Sequence, residues 1–272
     1  MIKTPLTYYG GKQNLADIII TLFPSHTLYC ESFAGGAAVF FAKQPSKIEI
    51  LNDKNVEVIN FYRVLKTDFP LLEKEVLATL HSRKLHRHAK VIYENPELFD
   101  PIKRAWAVWV VSNMSFGSIL GNGWGHDVLG KRVNAINHKK QNFTKHLSDR
   151  LQNVYIECRD ALELIKDKDN HDSFFYIDPP YVGADQGHYA GYTQKKFDAL
   201  LYILACLKGK FLLSSYPNKG LDAFLSRHNW YQIKIDMRNP MSTPKSGNPM
   251  IKTEVLTANY PISKNMQKGL FD

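Results

Sequence analysis

The tetrapeptide Asp178-Pro179-Pro180-Tyr181 ends the apolar run FFYIDPPYV, and its residue types suit the recognition of an amine. Proline ends a strand because it has no N–H to donate to the ladder. The Asp178 carboxylate and the Pro179 carbonyl then present two neighbouring acceptors, which match the two N–H donors of an exocyclic amine. Tyr181 adds a flat face on which a planar base can stack. The stretch therefore predicts a site for a planar base that carries an amino group.

A turn of small residues follows the first apolar stretch of the chain, in ESFAGGAAVFF (31–41). Gly35 and Gly36 would let a ligand approach the backbone, and the helix that follows offers unpaired N–H groups. Packing alone also explains such turns, and the spacing is neither G-x-G-x-x-G nor a phosphate loop ending in G-K-[ST]. The loop alone is a weak signal for a nucleotide-type cofactor.

Two other positions could complete a cofactor site. Asp53 ends the apolar stretch KIEILND, where an acid accepts hydrogen bonds from ribose hydroxyls in nucleotide-binding folds, although it could equally cap the next helix. In YYGGK, Tyr8 supplies an aromatic ring and Lys12 a charge for a carboxylate; the alternative is an exposed turn. Loop and acid in this order favour an adenosine-containing cofactor.

The elements that must position these residues alternate along most of the chain. Helical patterns separate several of the apolar stretches, which predicts a mostly parallel sheet covered on both faces, a doubly wound α/β fold. In such a sheet ligands bind beyond the carboxyl ends of the strands, where the glycine loop and the DPPY stretch both end. The predicted strands are 27–33, 47–53, 154–158, 173–178, 210–215, 230–236 and 253–260.

The middle of the chain lacks this alternation of apolar stretches and helical patterns. Helical stretches, the aromatic run RAWAVWVVSNMSF and a glycine-rich stretch typical of an irregular loop or hairpin replace the alternation. We expect a smaller, mainly helical domain, residues 61–149, inserted between the second and third strands. Residues 1–60 and 150–272 then form the sheet domain.

The formal charge of +9 fits a polyanionic partner, and its distribution is more informative than its sum. HSRKLHRHAK (81–90) and KRVNAINHKKQNFTKH (131–146) contain basic residues and histidines but no acid, which favours a phosphate-facing surface over two solvated faces. Cys30, Cys158 and Cys206 are too scattered for a disulfide framework or a zinc site, and we expect all three to be buried. No metal site is predicted. We find no apolar run of about 18 residues and no signal peptide, so the expected compartment is the cytoplasm.

YYGGK, ESFAGGAAVFF, ILNDKN and DPPY, in this order and around a long basic middle section, resemble the Dam-type (class alpha) DNA adenine N6-methyltransferases. The resemblance covers nearly the whole chain and implies a seven-stranded methyltransferase sheet with an inserted DNA-recognition domain. It also implies S-adenosylmethionine as cofactor and methylation of adenine at N6 in duplex DNA.

The resemblance assigns roles residue by residue. Tyr8, Lys12, Phe33, Gly35, Gly36, Asp53 and Asp178 match its cofactor contacts, and Asp178, Pro179 and Tyr181 its catalytic motif. Asp160 is a candidate contact to the adenine of the cofactor, and Arg132, Lys139 and Lys140 are candidate phosphate contacts. Two positions depart from the family pattern: Ala37, where many members have glycine, and Tyr8, where the Dam enzymes often have tryptophan.

The expected mechanism is direct in-line transfer to a flipped-out adenine that stacks on Tyr181, with no covalent enzyme intermediate. Three alternatives remain open: an NAD-dependent oxidoreductase, which lacks a role for DPPY; a non-catalytic DNA-binding protein on a methyltransferase scaffold; and an amino-methyltransferase acting on cytosine N4 or RNA adenine. The residues do not reveal the recognition sequence, for which GATC is only the first candidate by analogy. They also leave open a cognate restriction endonuclease and the oligomeric state.

Overall fold

The computed structural model describes residues 2–182, 192–238 and 251–262, and its central feature is one seven-stranded sheet. The strands are β1 (Leu28–Glu31), β2 (Ile48–Asn52), β3 (Val154–Glu157), β4 (Ser173–Ile177), β5 (Lys210–Ser215), β6 (Tyr231–Arg238) and β7 (Ile251–Ala258). Their order is β3-β2-β1-β4-β5-β7-β6. The first five strands pair in parallel, and β7 lies antiparallel to both of its neighbours. The predicted seven strands and the mostly parallel α/β fold are confirmed.

Helices cover both faces of this sheet. They are α1 (Ala16–Thr21), α2 (Ala38–Ala42), α3 (Val56–Thr67), α4 (Phe69–Ala78), α5 (Arg83–Glu94), α6 (Pro101–Met114), α7 (Lys131–Gln141), α8 (Lys145–Leu151), α9 (Ala161–Lys168), α10 (Gln194–Ala205) and α11 (Lys219–His228). Short 3₁₀ turns lie at Pro96–Leu98 and Phe116–Ser118.

The central strands are buried on both faces because their side chains alternate between two apolar clusters. Tyr29 and Phe174 lie in a cluster that also contains apolar residues of α1 to α8. Cys30 and Phe175, the next residues of the same strands, lie in a second cluster with α9, α10 and α11. Near-continuous apolar strands of this kind are the pattern of a parallel sheet that helices cover on both sides. The doubly wound arrangement follows directly.

The helices between β2 and β3 are joined to the sheet through one continuous core. Trp109 of α6 and Phe61 of α3 are fully buried in the same cluster as the sheet residue Tyr176. An ion pair between Arg150 and Glu49, with an N–O distance of 2.9 Å, fastens the end of this section to β2. The boundary expected at residues 60 and 61 falls inside α3, which packs with both parts. The division into two domains stays a prediction.

The glycine-rich stretch after α6 is an irregular loop with one antiparallel bridge, between Ser115 and Trp124. Phe116 N donates to Gly123 O over 2.8 Å, and Gly125 N donates to Met114 O over the same distance. The expected irregular loop or hairpin is therefore a short, partly paired turn at the end of α6.

The expectation that all three cysteines are buried is wrong for two of them. Cys30 is buried in β1, but Cys158 is half-buried and Cys206 is exposed. Cys158 follows β3, an edge strand with one partner, and Cys206 lies off the buried face of α10 that Phe197, Leu201 and Leu204 form. Apolar neighbours in the sequence therefore led us to expect more burial of these cysteines than the edges of the fold provide. Among the described helices, none combines the length and the apolar character needed to cross a membrane.

Candidate active site

A cavity of about 380 Å³ lies at the carboxyl ends of β1 and β4, where the topology brings separate parts of the chain together. Residues before α1, the loop after β1, the DPPY stretch after β4 and Tyr216 after β5 all line it. Because β4 pairs with both β1 and β5, the ends of these strands meet at one edge of the sheet. The structure thus brings together Tyr8, Lys12, Phe33, Gly35, Gly36, Asp178, Pro179 and Tyr181.

Lys12 is held inside this cavity by two carboxylates. Its Nζ lies 2.8 Å from both carboxylate oxygens of Asp178, 2.8 Å from Gly10 O and 3.6 Å from Glu254 Oε1. Burial acts to lower the pKa of Lys12, but the two acids and their hydrogen bonds outweigh burial and raise it above its ordinary value. Lys12 therefore carries its charge within the site, where it is already paired with protein groups.

Tyr181 is fixed by the same acids. Its hydroxyl hydrogen-bonds to Glu254 Oε1 and lies 3.1 Å from Asp178 Oδ1. A phenol has one proton, so it donates to one acid at a time. Burial is the largest cause of the raised pKa of Glu254, the charge of Asp178 raises it further, and Lys12 acts in the opposite direction. Two acids, one lysine and one phenol form a single hydrogen-bonded unit, in which Asp178 is the half-buried member.

The glycine loop is shaped by close approach of the Tyr8 ring. Gly35 has a φ of +45°, and a Cβ built on it would lie 3.1 Å from two carbons of that ring. A Cβ at Gly36 would also lie 3.1 Å from Tyr8, and the Gly36 carbonyl accepts a hydrogen bond from Thr4. Ala37 has a φ of +51°, a conformation that glycine adopts more readily. Only residues without bulky side chains fit between Tyr8 and the sheet.

Asp53 is buried directly after β2. It contacts the glycine loop but does not itself line the cavity. Its Oδ2 accepts from Gly35 N over 2.8 Å, and its Oδ1 accepts from Asn55 N over 2.8 Å. Burial raises the pKa of Asp53, and these backbone hydrogen bonds oppose the rise. Asn55, not Asp53, caps α3 with its side chain. The ribose-binding role of Asp53 stays a prediction.

Glu31 is a cavity residue that sequence reasoning missed. It ends β1, is 3% exposed and accepts a hydrogen bond from Tyr29 Oη over 2.7 Å. Burial raises the pKa of Glu31 to about 8. The signal was an acid at the last position of an apolar strand, directly before the glycine loop.

Three other residues at this edge were also missed. Glu254 lies in β7 and Tyr216 directly follows β5, while Lys252 places its Nζ 4.6 Å from the centre of the Tyr216 ring. The ring centroids of Tyr216 and Tyr181 are 4.3 Å apart. A lone acid within the apolar stretch TEVLTANY was the available signal for Glu254, but the pairing of β7 with β5 could not be inferred from it.

The candidate phosphate contacts lie in different surroundings. Lys139 lines the cavity and donates to Thr4 O over 3.1 Å, whereas Lys140 donates to Thr79 O over 2.8 Å. The Arg132 guanidinium lies against Gly125. Asp160, the candidate contact to the cofactor's adenine, caps α9 by accepting from Leu162 N over 2.9 Å. All four assignments stay predictions. Lys139 lines the cavity and does not lie on the open surface where a phosphate contact was expected.

The strand order is that of a doubly wound α/β sheet, and the DPPY stretch lies at the carboxyl end of its strand β4. Residues 8–234 match the family model of the D12 class N6 adenine-specific DNA methyltransferases. The chain belongs to this family, as the resemblance in its motifs indicated.

Proteins similar to this chain carry names consistent with that family. A type II methyltransferase of Lactococcus lactis subsp. cremoris is 26% identical over 285 residues, with 92% of this chain and 93% of that protein covered. A type II methyltransferase of Methanocaldococcus jannaschii is 26% identical over 220 residues, with 72% and 75% covered. A DNA adenine methylase of Salmonella typhi is 25% identical over 276 residues, with 94% of each covered.

Proposed function

We propose that this DNA adenine methyltransferase transfers the methyl group of S-adenosylmethionine directly to N6 of an adenine flipped out of duplex DNA. One observation carries the proposal: Asp178 and Tyr181 lie in the cavity next to the glycine loop, so the acceptors for the amine and the cofactor loop share one space. The hydrogen-bonded unit with Lys12 and Glu254 holds both side chains in place.

The cavity has the size and charge that the cofactor requires. About 380 Å³ lies within the usual range of small-molecule sites, and Asp178 supplies negative charge for a cationic ligand. The carboxyl group of Glu31, which burial keeps protonated up to a pKa of about 8, offers a hydrogen-bonding group beside it. Gly35 and Gly36 leave no room for a side chain against Tyr8, which fits a loop over which a ligand passes closely. When bound, S-adenosylmethionine supplies an electrophilic methyl group on a sulfonium leaving group.

Asp53 retains acceptor capacity for the ribose. A carboxylate offers about four lone-pair sites, and the backbone N–H groups of Gly35, Asn55 and Lys54 use up to three of them. The remaining site accepts a hydroxyl group of the ribose. We infer that Asp53 both shapes the loop and holds the sugar.

The same count at Asp178 identifies the oxygen that receives the target amine. Lys12 contacts both oxygens of Asp178. The Tyr181 hydroxyl lies 3.1 Å from Oδ1 and also hydrogen-bonds to Glu254, whereas among the described residues Oδ2 has Lys12 as its one partner. Oδ2 and the Pro179 carbonyl are then the two acceptors for the amine protons. Accepting both protons localises the nitrogen lone pair and stabilises the positive charge that develops during attack on the methyl group.

Stacking on Tyr181 requires a rearrangement at the cavity. Tyr181 is 8% exposed and its ring is 4.3 Å from that of Tyr216. A flipped base must displace Tyr216 or stack on both rings, and the cost of flipping is a few kcal/mol. We propose that the target pocket is completed only when the base enters.

The duplex would lie along the basic helices of the inserted section. Exposed basic side chains there include Arg83, Lys84 and Arg87 of α5 and Lys131 of α7. They supply sequence-independent phosphate contacts, which position DNA without reading it. Arg132 belongs to the same surface, and Lys140 joins it if its hydrogen bond to Thr79 O opens.

The test is methyl transfer from labelled S-adenosylmethionine to duplex DNA, with the modified base identified by mass spectrometry. Asp178→Asn keeps the size of the side chain but replaces an acceptor by a donor, so we expect transfer to fall by at least ~100-fold. Asp222→Asn, at an exposed acid of α11, is the matched control and should retain full activity. N4-methylcytosine as the product, or full activity of Asp178→Asn, would contradict the proposal.

A further inference from the structure

Lys139 is a cation of the inserted section that reaches the cavity of the sheet. It lies near the end of α7, yet it lines the same cavity as Thr4 and Gly36. Its Nζ donates to Thr4 O over 3.1 Å. A backbone carbonyl carries no net charge, so this bond leaves the charge of Lys139 unbalanced.

No acid within the described part of the chain forms an ion pair with Lys139, and its electrostatic surroundings agree with that. Burial, and then the positive charge of Lys3, lower the pKa of Lys139 to about 8. Lys12, which has Asp178 as an acidic partner, shows the opposite shift. A partly buried lysine that lines a cavity without a counter-charge is suited to an anionic group of a ligand.

The other ionisable groups at the cavity lie apart from Lys139 and are mainly acids. Glu31 and Asp178 line the cavity together with Lys12, and Glu254 lies behind them, 3.6 Å from the Lys12 Nζ. Lys12 makes its contacts with Asp178 and Gly10 and lies near Glu254, so it is not free for a ligand carboxylate. The cavity therefore has an acidic part around Lys12 and a separate cationic position at Lys139.

S-adenosylmethionine has the complementary distribution, with a positive sulfonium, a positive ammonium group and one carboxylate. We propose that Lys139 binds the carboxylate of the methionine moiety, while the acidic part of the cavity faces its positive groups. This inference rests on the proposed function, which supplies the cofactor. It makes Lys139 a positioning residue that sets the direction of the cofactor and links cofactor binding to the inserted section.

The experiment is isothermal titration calorimetry without DNA, using two ligands that differ only in the carboxylate: S-adenosylmethionine and decarboxylated S-adenosylmethionine. Lys139→Met keeps most of the apolar stem and removes the charge. We expect it to bind S-adenosylmethionine about 10- to 100-fold more weakly, the size of a lost charged hydrogen bond, and the decarboxylated ligand as wild type does. Lys139→Arg should retain most of the affinity. Lys74→Met, at an exposed lysine of α4 in the same inserted section, should bind both ligands normally.

The ratio of the two affinities separates this role from a structural one. Loss of the bond to Thr4 O would weaken both ligands equally, and an equal loss overturns the proposal. Lys139→Gln, a neutral donor that can keep this bond, gives the same comparison if the methionine variant does not fold. Unchanged binding of S-adenosylmethionine by a variant, with normal binding by wild type, overturns the inference alone and would suit a contact to a DNA phosphate. Failure of the wild type to bind S-adenosylmethionine overturns the cofactor assignment as well.

Discussion

Lys12 could be identified from its type as a charged residue of the site, but its partner Asp178 could not be identified from the sequence. The motif YYGGK indicated a cation for a ligand carboxylate, but the structure pairs Lys12 with Asp178, which lies 166 positions away. A sequence pattern carries local spacing and gives no information on such a contact. The raised pKa of Lys12 keeps the cation charged throughout the physiological range, so the site retains its internal ion pair with or without ligand.

Glu31 predicts a pH dependence of stability with a definite sign. Its pKa rises from 4.5 to about 8 because it is buried. Between these values the unfolded chain loses the proton and the folded chain keeps it, so the free energy of unfolding falls as the pH rises. We expect Glu31→Gln to be nearly as stable as wild type at pH 5, and more stable by roughly 2–4 kcal/mol at pH 8.

Urea unfolding at the two pH values measures this difference. Glu163→Gln, at an exposed acid in the first turn of α9, is the matched control and should follow wild type at both. If the Glu31 variant were no more stable than wild type at pH 8, the pKa of this carboxyl group would not be raised in the folded protein.

The loop between β1 and α2 depends on its fit against Tyr8. At Gly35 two costs combine: a left-handed φ and a Cβ that would press on the Tyr8 ring. Gly130, before α7, has a φ of +70°, but a Cβ added there would meet nothing within 4 Å, so it isolates the first cost. The two glycines form a natural comparison between backbone strain and contact.

We expect Gly130→Ala to destabilise the fold by about 1–2 kcal/mol through backbone strain alone. Gly35→Ala should cost more, since Tyr8 must also move, and it alone should weaken binding of S-adenosylmethionine. Thermal unfolding and calorimetric titration of both variants measure these effects. Equal cofactor affinity in the two variants would mean that the contact between the loop and Tyr8 does not shape the site.

The strands were predictable and much of the site was not, for a common physical reason. Apolar runs such as SFFYID and KFLLSS are too short for typical helices and alternate with helical patterns, which favours strands buried on both faces. Which strand lies next to which is decided by packing over the whole sheet. Glu254 therefore contacts Tyr181 only because β7 lies beside β5. No local pattern in TEVLTANY indicates that pairing. Asp178 could be identified because its chemistry is complete within four residues.

A shared core joins the two sections of the chain. Trp109, Phe61 and Tyr176 lie in one buried cluster that extends from α6 to the sheet. Asn113 of α6 also binds the chain before α1, accepting from Thr7 Oγ1 over 2.7 Å and donating to Pro5 O over 3.1 Å. Contacts of this kind couple the stability of the inserted helices to that of the sheet.

We therefore expect a single cooperative unfolding transition in urea. Three of the four tryptophans lie between β2 and β3, so a Trp230→Phe variant reports on the inserted section alone by fluorescence, whereas far-ultraviolet circular dichroism reports on the whole chain. The two midpoints should coincide in this variant. Separate midpoints would show that the inserted section unfolds as an independent domain.

The ion pair between Lys12 and Asp178 also has a consequence for the timing of synthesis. At ordinary rates of translation the ribosome needs roughly 10–30 s to add the residues between them, and β7, which supplies Glu254, comes later still. During that interval Lys12 remains hydrated, because burying it without its acids would be costly. A nascent chain that has not yet released β7 lacks Glu254, so the contacts of Lys12 and Tyr181 with this acid form only after β7 has left the ribosome.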